Sequence, residues 1–129
     1  VQRSGQRRER ERTFLCGTMA YVAPECLISS SWAGAPSDLY SLGVVLYEMI
    51  TGRLPFAAEE AAQFAQAHLE QTPDDVRRHR PDTPREVALL VKRLLAKDPL
   101  RRPAATEELI ETLGRMEVDA LTEELAANS

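Results

Sequence analysis

The chain has 129 residues, of which 43% are hydrophobic, and these proportions suit one domain with a single modest core. A formal net charge of −4 argues against a surface that binds nucleic acid over its whole extent. The two cysteines and two histidines make neither a disulfide framework nor a structural zinc site, and no apolar run could span a membrane, which favours a cytoplasmic location.

Charge is concentrated at the two ends of the chain. Residues 1–12 carry five arginines against two glutamates, whereas residues 104–129 carry seven acidic residues against the single Arg115. Such runs rarely bury enough apolar surface to fold. We therefore expect a mobile basic segment at residues 1–12, a folded domain at residues 13–116 and an acidic tail at residues 117–129.

The stretch after the basic segment is predicted to be mainly loop, with one short helix at about residues 24–27. The first long helix is predicted to begin at Ser37, whose hydroxyl can cap free backbone amides, and to end at Gly52. Apolar residues occupy nearly every side of this helix, so we expect protein to surround it. If a neighbouring lobe normally covers one side, the chain by itself exposes several apolar side chains there.

Two further helices are predicted in the middle of the chain. Residues 59–71 have high helix propensity but few large apolar groups, which indicates a helix on the surface. Thr83 and Glu86 have the spacing of a capping box, with Pro84 at the first helical position, so the next helix is predicted to begin there. Its apolar residues recur every three or four positions until the Asp98-Pro99 pair ends the run.

The last predicted helix opens at Pro103, and Gly114 weakens it near its end. Apolar residues with helical spacing continue beyond residue 116, so a last amphipathic segment either docks on the domain or leads into a linker. No strand pattern accompanies these helices, and the predicted fold class is mainly α.

Three motifs in order along the chain carry a family resemblance. They are Gly17-Thr18-Met19-Ala20-Tyr21-Val22-Ala23-Pro24-Glu25, Asp38-x-Tyr40-Ser41-x-Gly43 and Asp98-Pro99-x-x-Arg102-Pro103. Together they resemble the activation-segment end, the following helix and the segment before the last large-lobe helix of eukaryotic-type Ser/Thr protein kinases. The resemblance covers roughly residues 13–115, and the connecting segments are particularly similar to those of bacterial members. It implies the helical C-terminal-lobe portion of the protein-kinase-like fold, with no N-terminal β lobe in this chain.

The same resemblance implies a phosphotransferase whose full-length form uses ATP and Mg²⁺ to phosphorylate Ser or Thr in protein substrates. Phosphoryl transfer by such enzymes needs a glycine-rich loop, a lysine on the phosphates, metal-binding groups and a base near the substrate hydroxyl. None has a candidate among these 129 residues. We therefore expect no catalytic residue, cofactor or metal in this chain. Its expected partners are protein substrates and an upstream kinase lobe, and its expected role is to dock the substrate.

By resemblance, four residues shape the pocket for the residue that follows the phosphoacceptor: Thr18, Met19, Ala20 and Tyr21. The Thr18 hydroxyl is expected to bridge the catalytic aspartate and its lysine. A purely structural interpretation stays open, in which Gly17 makes a turn and Tyr21 belongs to the core.

Three charged residues have long-range roles implied by the resemblance. Glu25 and Arg102 are expected to form a buried ion pair, because a buried glutamate needs a partner and arginine can meet a carboxylate through two hydrogen bonds. The alternative is two unrelated surface charges. Asp38 suits the first turn of a helix through the helix dipole, and by resemblance its carboxylate also accepts backbone amides of the catalytic loop.

A phosphorylation switch is a further possibility near the start of the chain. Thr13 lies one position from the place where many relatives carry an activating phosphothreonine, and Ser4 lies among the arginines. Phosphate on either residue would attract those arginines and order the loop.

Two other classes of function compete with the kinase hypothesis. The alternative is a non-catalytic helical interaction module or pseudokinase remnant, and the coding region upstream of Val1 would discriminate between them. A DNA-binding regulator is disfavoured, because the acidic helices offer no basic recognition face.

Overall fold

The computed structural model describes residues 19–29, 34–103 and 106–128. Within these ranges the chain is mainly helical and contains no strand, which confirms the predicted fold class. The helices are α1 (Pro24–Ile28), α2 (Ala35–Thr51), α3 (Ala61–Glu70), α4 (Val76–His79), α5 (Arg85–Leu94) and α6 (Thr106–Asn128), and a 3₁₀ turn at Pro99–Arg101 separates the last two. None of the helices in the described ranges is both long and apolar enough to cross a membrane.

Helix α2 forms the centre of the fold. Its residues Tyr40, Val44 and Tyr47 are at most 1% exposed, and they share a cluster with Val91 and Leu95, at the end of α5. Full burial of a large apolar side chain contributes about 1.5 to 3 kcal/mol. The contact between α2 and α5 is therefore a main source of stability.

The close approach of α2 to α5 depends on Gly43. A Cβ atom at this position would lie 2.8 Å from the Leu94 Cβ atom and 3.1 Å from the Leu95 side chain. The first of these distances is shorter than Cβ contacts in real proteins. Glycine inside a helix costs about 1 kcal/mol relative to alanine, and here it permits the two helices to pack.

The start of α2 differs from the prediction. The helix begins at Ala35, before Ser37, and Gly34 occupies the N-cap position without a capping side chain. The Ser37 hydroxyl instead donates to Oε2 of Glu25 at 2.8 Å, because helix packing buries it beside that carboxylate. The predicted end is correct: Gly52 has a left-handed φ of 74°, which glycine adopts without steric cost.

The predicted capping box at the start of α5 is wrong. The Thr83 hydroxyl donates to the Arg80 carbonyl at 2.7 Å, because the turn before the helix brings that carbonyl within reach. Pro84 occupies the N-cap position, and no side chain caps the helix. The helix also ends at Leu94, well before Asp98. The Asp98 carboxylate instead caps the 3₁₀ turn, where it accepts a 3.0 Å hydrogen bond from a backbone amide.

The position of the helix predicted at residues 59–71 is correct, but the helix is more buried than a surface helix was expected to be. A capping box between Glu60 and Gln63 begins α3. One side of the helix faces inward, and its buried residues are Phe64, Ala67 and His68. The last of these is a polar side chain in the core.

Helix α6 continues through Gly114 to Asn128, so the predicted weakening at this glycine does not end the helix. Leu109 is buried among residues of α2 and α5, and Met116 packs on the same cluster. The apolar residues that follow are more than half exposed and do not dock on the described part of the domain: they are Val118, Leu121 and Leu125.

One side of α2 is also uncovered. Val45 is 39% exposed and Met49 is 76% exposed. Helical spacing places both on the same side as Asp38, which is exposed as well. The described residues therefore do not surround α2, and they leave an apolar strip beside an acidic group.

Candidate functional site

A buried ion pair anchors the start of α1. Arg102 is 2% exposed and Glu25 is 7% exposed. Nη1 of Arg102 donates to Oε2 of Glu25 at 2.6 Å, and Nη2 donates to Oε1 at 2.8 Å, so two parallel hydrogen bonds join the groups. The structure thus brings together two residues that lie 77 positions apart in the chain.

Arg102 uses its N–H groups to join further parts of the chain. Nε donates to the Ala96 carbonyl at 2.8 Å, Nη1 to the Pro36 carbonyl at 2.8 Å and Nη2 to the Lys97 carbonyl at 3.3 Å. The guanidinium also lies over the Tyr40 ring, 4.9 Å from its centroid. Helix α1, the start of α2 and the segment after α5 therefore meet at one planar group, which lysine would not replace.

The surroundings of Glu25 favour its ionised form. Burial raises the pKa of this carboxyl group, but hydrogen bonds from Arg102, from its own backbone amide and from Ser37 together outweigh burial and hold the pKa below its usual value. Other buried polar side chains also have hydrogen-bond partners. Within the described ranges, no buried side-chain nitrogen or oxygen lacks a hydrogen-bond partner.

The segment that precedes α1 is held by side chains of two helices. From α2, Oγ of Ser41 donates to the Tyr21 carbonyl at 2.7 Å. From α3, Nε2 of His68 lies 2.9 Å from the carbonyl oxygen of Met19 and 3.0 Å from that of Ala20. Three consecutive carbonyl groups of this segment therefore have partners on the helices behind it.

The side chain of Tyr21 is held by α2 as well. Its hydroxyl donates to Oε1 of Glu48 at 2.6 Å. This hydrogen bond is the main reason, with burial second, that the pKa of Tyr21 lies above its usual value. Of the predicted pocket residues, Ala20 is buried, Met19 and Tyr21 are half-buried, and Thr18 lies outside the described residues.

His68 is fully buried, and both of its ring nitrogens have polar neighbours. The Tyr40 hydroxyl lies 2.7 Å from Nδ1, opposite the two carbonyls at Nε2. Phe56 packs edge-on against the imidazole, with ring centroids 5.3 Å apart. Burial lowers the pKa of His68 and raises that of Tyr40, so both side chains are neutral near pH 7.

Sequence reasoning missed His68, Ser41 and Glu48. A signal for His68 was present, because it follows Phe64 by four positions and so shares its inward side of the helix. Ser41 and Glu48 carried no such signal, since polar residues on a helix usually face solvent.

Lys97, in the segment after α5, contacts the same cluster at the C-terminal end of α3. Its ammonium group donates to the His68 carbonyl at 2.8 Å and lies 5.1 Å from the centroid of the Phe56 ring. Burial lowers the pKa of Lys97. A cation suits this place, because the last carbonyl groups of a helix lack partners within the helix.

The other predicted site residues lie apart from this network. Asp38 is exposed in the first turn of α2, where the helix dipole favours a carboxylate. Thr13 and Ser4, the predicted phosphorylation sites, lie outside the described residues. In the part of the chain that the structure describes, no three His, Cys, Asp or Glu side chains are grouped as a metal site requires.

Several known proteins that are similar to this chain are serine/threonine-protein kinases. Residues 3–112 match the protein kinase domain, a range that includes every site residue described above. The serine/threonine-protein kinase pkn3 of Myxococcus xanthus is 43% identical over 96 residues, which are 73% of this chain. PrkC of Bacillus subtilis is 36% identical over 93 residues, or 72% of the chain, and PknA of Mycobacterium tuberculosis is 40% identical over 89 residues, or 69%.

The similarity covers most of this chain but a small part of each relative. The chain spans 17% of the length of pkn3, 14% of PrkC and 20% of PknA, all of which are serine/threonine-protein kinases. Since the matched range covers most of the 129 residues, the chain belongs to the protein kinase family, among relatives that include bacterial Ser/Thr kinases.

Proposed function

We propose that this chain is the substrate-docking part of a Ser/Thr protein kinase, whose full-length form transfers the γ-phosphate of ATP to serine or threonine in protein substrates. The observation that carries the proposal is the anchoring of residues 19–21, whose three carbonyl groups face side chains of α2 and α3. By the family resemblance, this segment lines the pocket for the residue after the phosphoacceptor. Discrimination between side chains requires pocket walls held in place, and buried polar anchors supply that rigidity.

The ion pair of Glu25 and Arg102 is proposed to secure the other end of the same segment. Its two hydrogen bonds of 2.6 and 2.8 Å fix the start of α1, and Arg102 also reaches the start of α2 through the Pro36 carbonyl. A buried charge pair of this geometry holds one arrangement, because any displacement leaves a charge without its partner. The pair therefore supports the pocket without touching the substrate.

The exposed side of α2 is proposed to be covered by the upstream kinase lobe. Val45 and Met49 offer apolar surface, and Asp38 offers a carboxylate that would accept backbone amides of the catalytic loop. ATP, Mg²⁺ and the catalytic residues belong to that lobe in this proposal. No residue of this chain is assigned a role in holding them.

The proposal is tested with the full-length kinase and two variants at one position. Thr18→Val keeps the shape of threonine without the hydroxyl, and Thr18→Ser keeps the hydroxyl without the methyl group. A hydrogen bond to a charged group contributes about 1.5 to 3 kcal/mol, so we expect valine to lower kcat about tenfold or more. Serine should retain most of the activity, and the products should contain phosphoserine or phosphothreonine.

Two results would count against the proposal. Full-length protein that binds no ATP, and phosphorylates no peptide in a degenerate Ser/Thr library, would favour a non-catalytic interaction module. Equal activity of the valine and serine variants would remove Thr18 from the proposed pocket.

A further inference from the structure

The tautomer of His68 follows from its neighbours. Nε2 lies 2.9 and 3.0 Å from two carbonyl oxygens, which accept hydrogen bonds and cannot donate them. Nε2 therefore carries the proton and shares it between the carbonyls of Met19 and Ala20. Since the imidazole is neutral, Nδ1 is an acceptor, and the Tyr40 hydroxyl donates to it across 2.7 Å.

The same contacts connect His68 to the ion pair. The Tyr40 hydroxyl holds Nδ1 of His68, and the Tyr40 ring lies under the guanidinium of Arg102. Arg102 in turn holds Glu25, four residues after Tyr21. One connected chain of contacts thus supports both ends of residues 19–25, and such networks are stiffer than isolated hydrogen bonds.

His68 has no exposed surface, so it cannot touch a bound substrate in this conformation. Its influence must pass through the backbone of Met19 and Ala20. Ala20 is itself 3% exposed, whereas Met19 is half-buried and keeps part of its surface accessible. The orientation of Met19 therefore depends on where His68 holds its carbonyl group.

We infer that His68 is a positioning residue for substrate specificity: through the carbonyl groups of Met19 and Ala20, it sets the pocket for the residue that follows the phosphoacceptor. This inference rests on the proposed function, because it assigns a support to the same pocket. It predicts that a change at His68 alters the binding of the peptide substrate and its preferred sequence, while the binding of ATP stays the same.

The test uses the full-length kinase that contains this chain, with three variants and one control. His68→Phe keeps a ring and removes both polar atoms, whereas His68→Gln keeps an N–H donor close to the position of Nε2. Tyr40→Phe keeps the ring over Arg102 and removes the hydroxyl that fixes the tautomer. His79→Gln is the control, because His79 is the second histidine of the chain and lies on α4, near Asp74.

Each protein is assayed with a peptide library that varies the residue after the phosphoacceptor. Loss of a shared, buried hydrogen bond should raise the peptide KM of His68→Phe about tenfold and flatten its preference, while the KM for ATP changes by less than about twofold. His68→Gln should recover part of the preference. Tyr40→Phe should change the preference in the same direction as His68→Phe, but by less. His79→Gln should match the wild type.

The results separate this inference from the function on which it rests. An active kinase in which His68→Phe keeps the wild-type peptide KM and preference would overturn the inference and leave the proposed function intact. An equal rise in both KM values would also overturn it, because the effect would then not be confined to the peptide pocket. If His68→Phe does not fold, His68→Gln and Tyr40→Phe decide in the same way, and absence of any kinase activity would overturn both proposals.

Discussion

The hydroxyl of Tyr21 donates a 2.6 Å hydrogen bond to Glu48 of α2. Ser41, on the same helix, donates to the carbonyl of Tyr21, so α2 holds both the side chain and the backbone of this residue. Positions 41 and 48 are about two helical turns apart and lie on one side of α2. The segment before α1 is therefore supported by a single helix face along its side chain and its backbone. Helix α2 is in turn positioned against α5 at Gly43.

Tyr21→Phe tests whether this helix face supports substrate binding. In the full-length kinase, loss of a hydrogen bond that contributes about 1 kcal/mol should raise the peptide KM roughly fivefold. Tyr47→Phe is the matched control, because the Tyr47 hydroxyl donates to the Asp74 carbonyl, away from the segment. Steady-state kinetics would contradict this prediction if the two variants raised the peptide KM equally.

Arg102→Ala should destabilise the kinase domain strongly. Removal of the guanidinium leaves the Glu25 carboxylate buried without its charge partner, which costs about 3 to 5 kcal/mol. Arg101→Ala is the control, since Arg101 is the exposed neighbour, and it should change the free energy of unfolding by less than about 0.5 kcal/mol. Urea denaturation measures the free energy of unfolding of both variants. A difference between the variants of under about 1 kcal/mol would show that Glu25 finds other partners.

The same substitution at two glycines should have opposite effects. Gly43→Ala places a Cβ atom 2.8 Å from that of Leu94, and overpacking of this kind costs about 1 to 3 kcal/mol, more than the gain in helix propensity. In the described part of the chain, no atom beyond the helix's own nearby backbone lies within 4 Å of a Cβ atom added at Gly114, so Gly114→Ala should stabilise α6 by up to about 1 kcal/mol. Thermal melts should show the two shifts with opposite signs. A stabilised Gly43→Ala variant would mean that α5 can move away from α2.

Stability should fall as the pH is lowered from 6.5 toward the folded pKa of His68. Burial lowers its pKa in the folded state below the usual 6.5, and Lys97 also disfavours a second positive charge, while the facing Tyr40 is neutral. Between the folded and unfolded pKa values the unfolded chain binds more protons, so the contribution is complete above pH 6.5 and is lost as the pH falls toward the folded pKa. His68→Gln should show a flatter melting temperature across this window.

A second loss of stability is expected at lower pH from Glu25. Its folded pKa lies below the usual 4.5, so its contribution is present above pH 4.5 and is lost as the pH falls toward the folded value. Glu25→Gln should remove this dependence and leave the His68 window unchanged. A wild-type melting temperature that stays constant from pH 7 to acidic conditions would contradict both assignments.

Local patterns predicted most of the helices, but they failed at two helix caps. Gly52 ends α2 as expected, because a left-handed residue after a helix is a property of a few consecutive residues. The expected caps Ser37 and Thr83 failed, because each hydroxyl donates to another acceptor. For Thr83 that acceptor is the Arg80 carbonyl, in the turn just before the helix. For Ser37 that acceptor is Glu25, on another helix.

The sequence by itself determined the family and the mainly helical fold, and it predicted the pairing of Glu25 with Arg102, because motif order and apolar spacing are properties of the chain. The tertiary structure alone decided what holds residues 19–21. Those hydrogen bonds join groups 20 to 49 positions apart, and they form because α2 and α3 place Ser41 and His68 behind the segment. A buried polar side chain is stable only where hydrogen-bond partners lie within reach, and the packing of the helices decides where those partners lie.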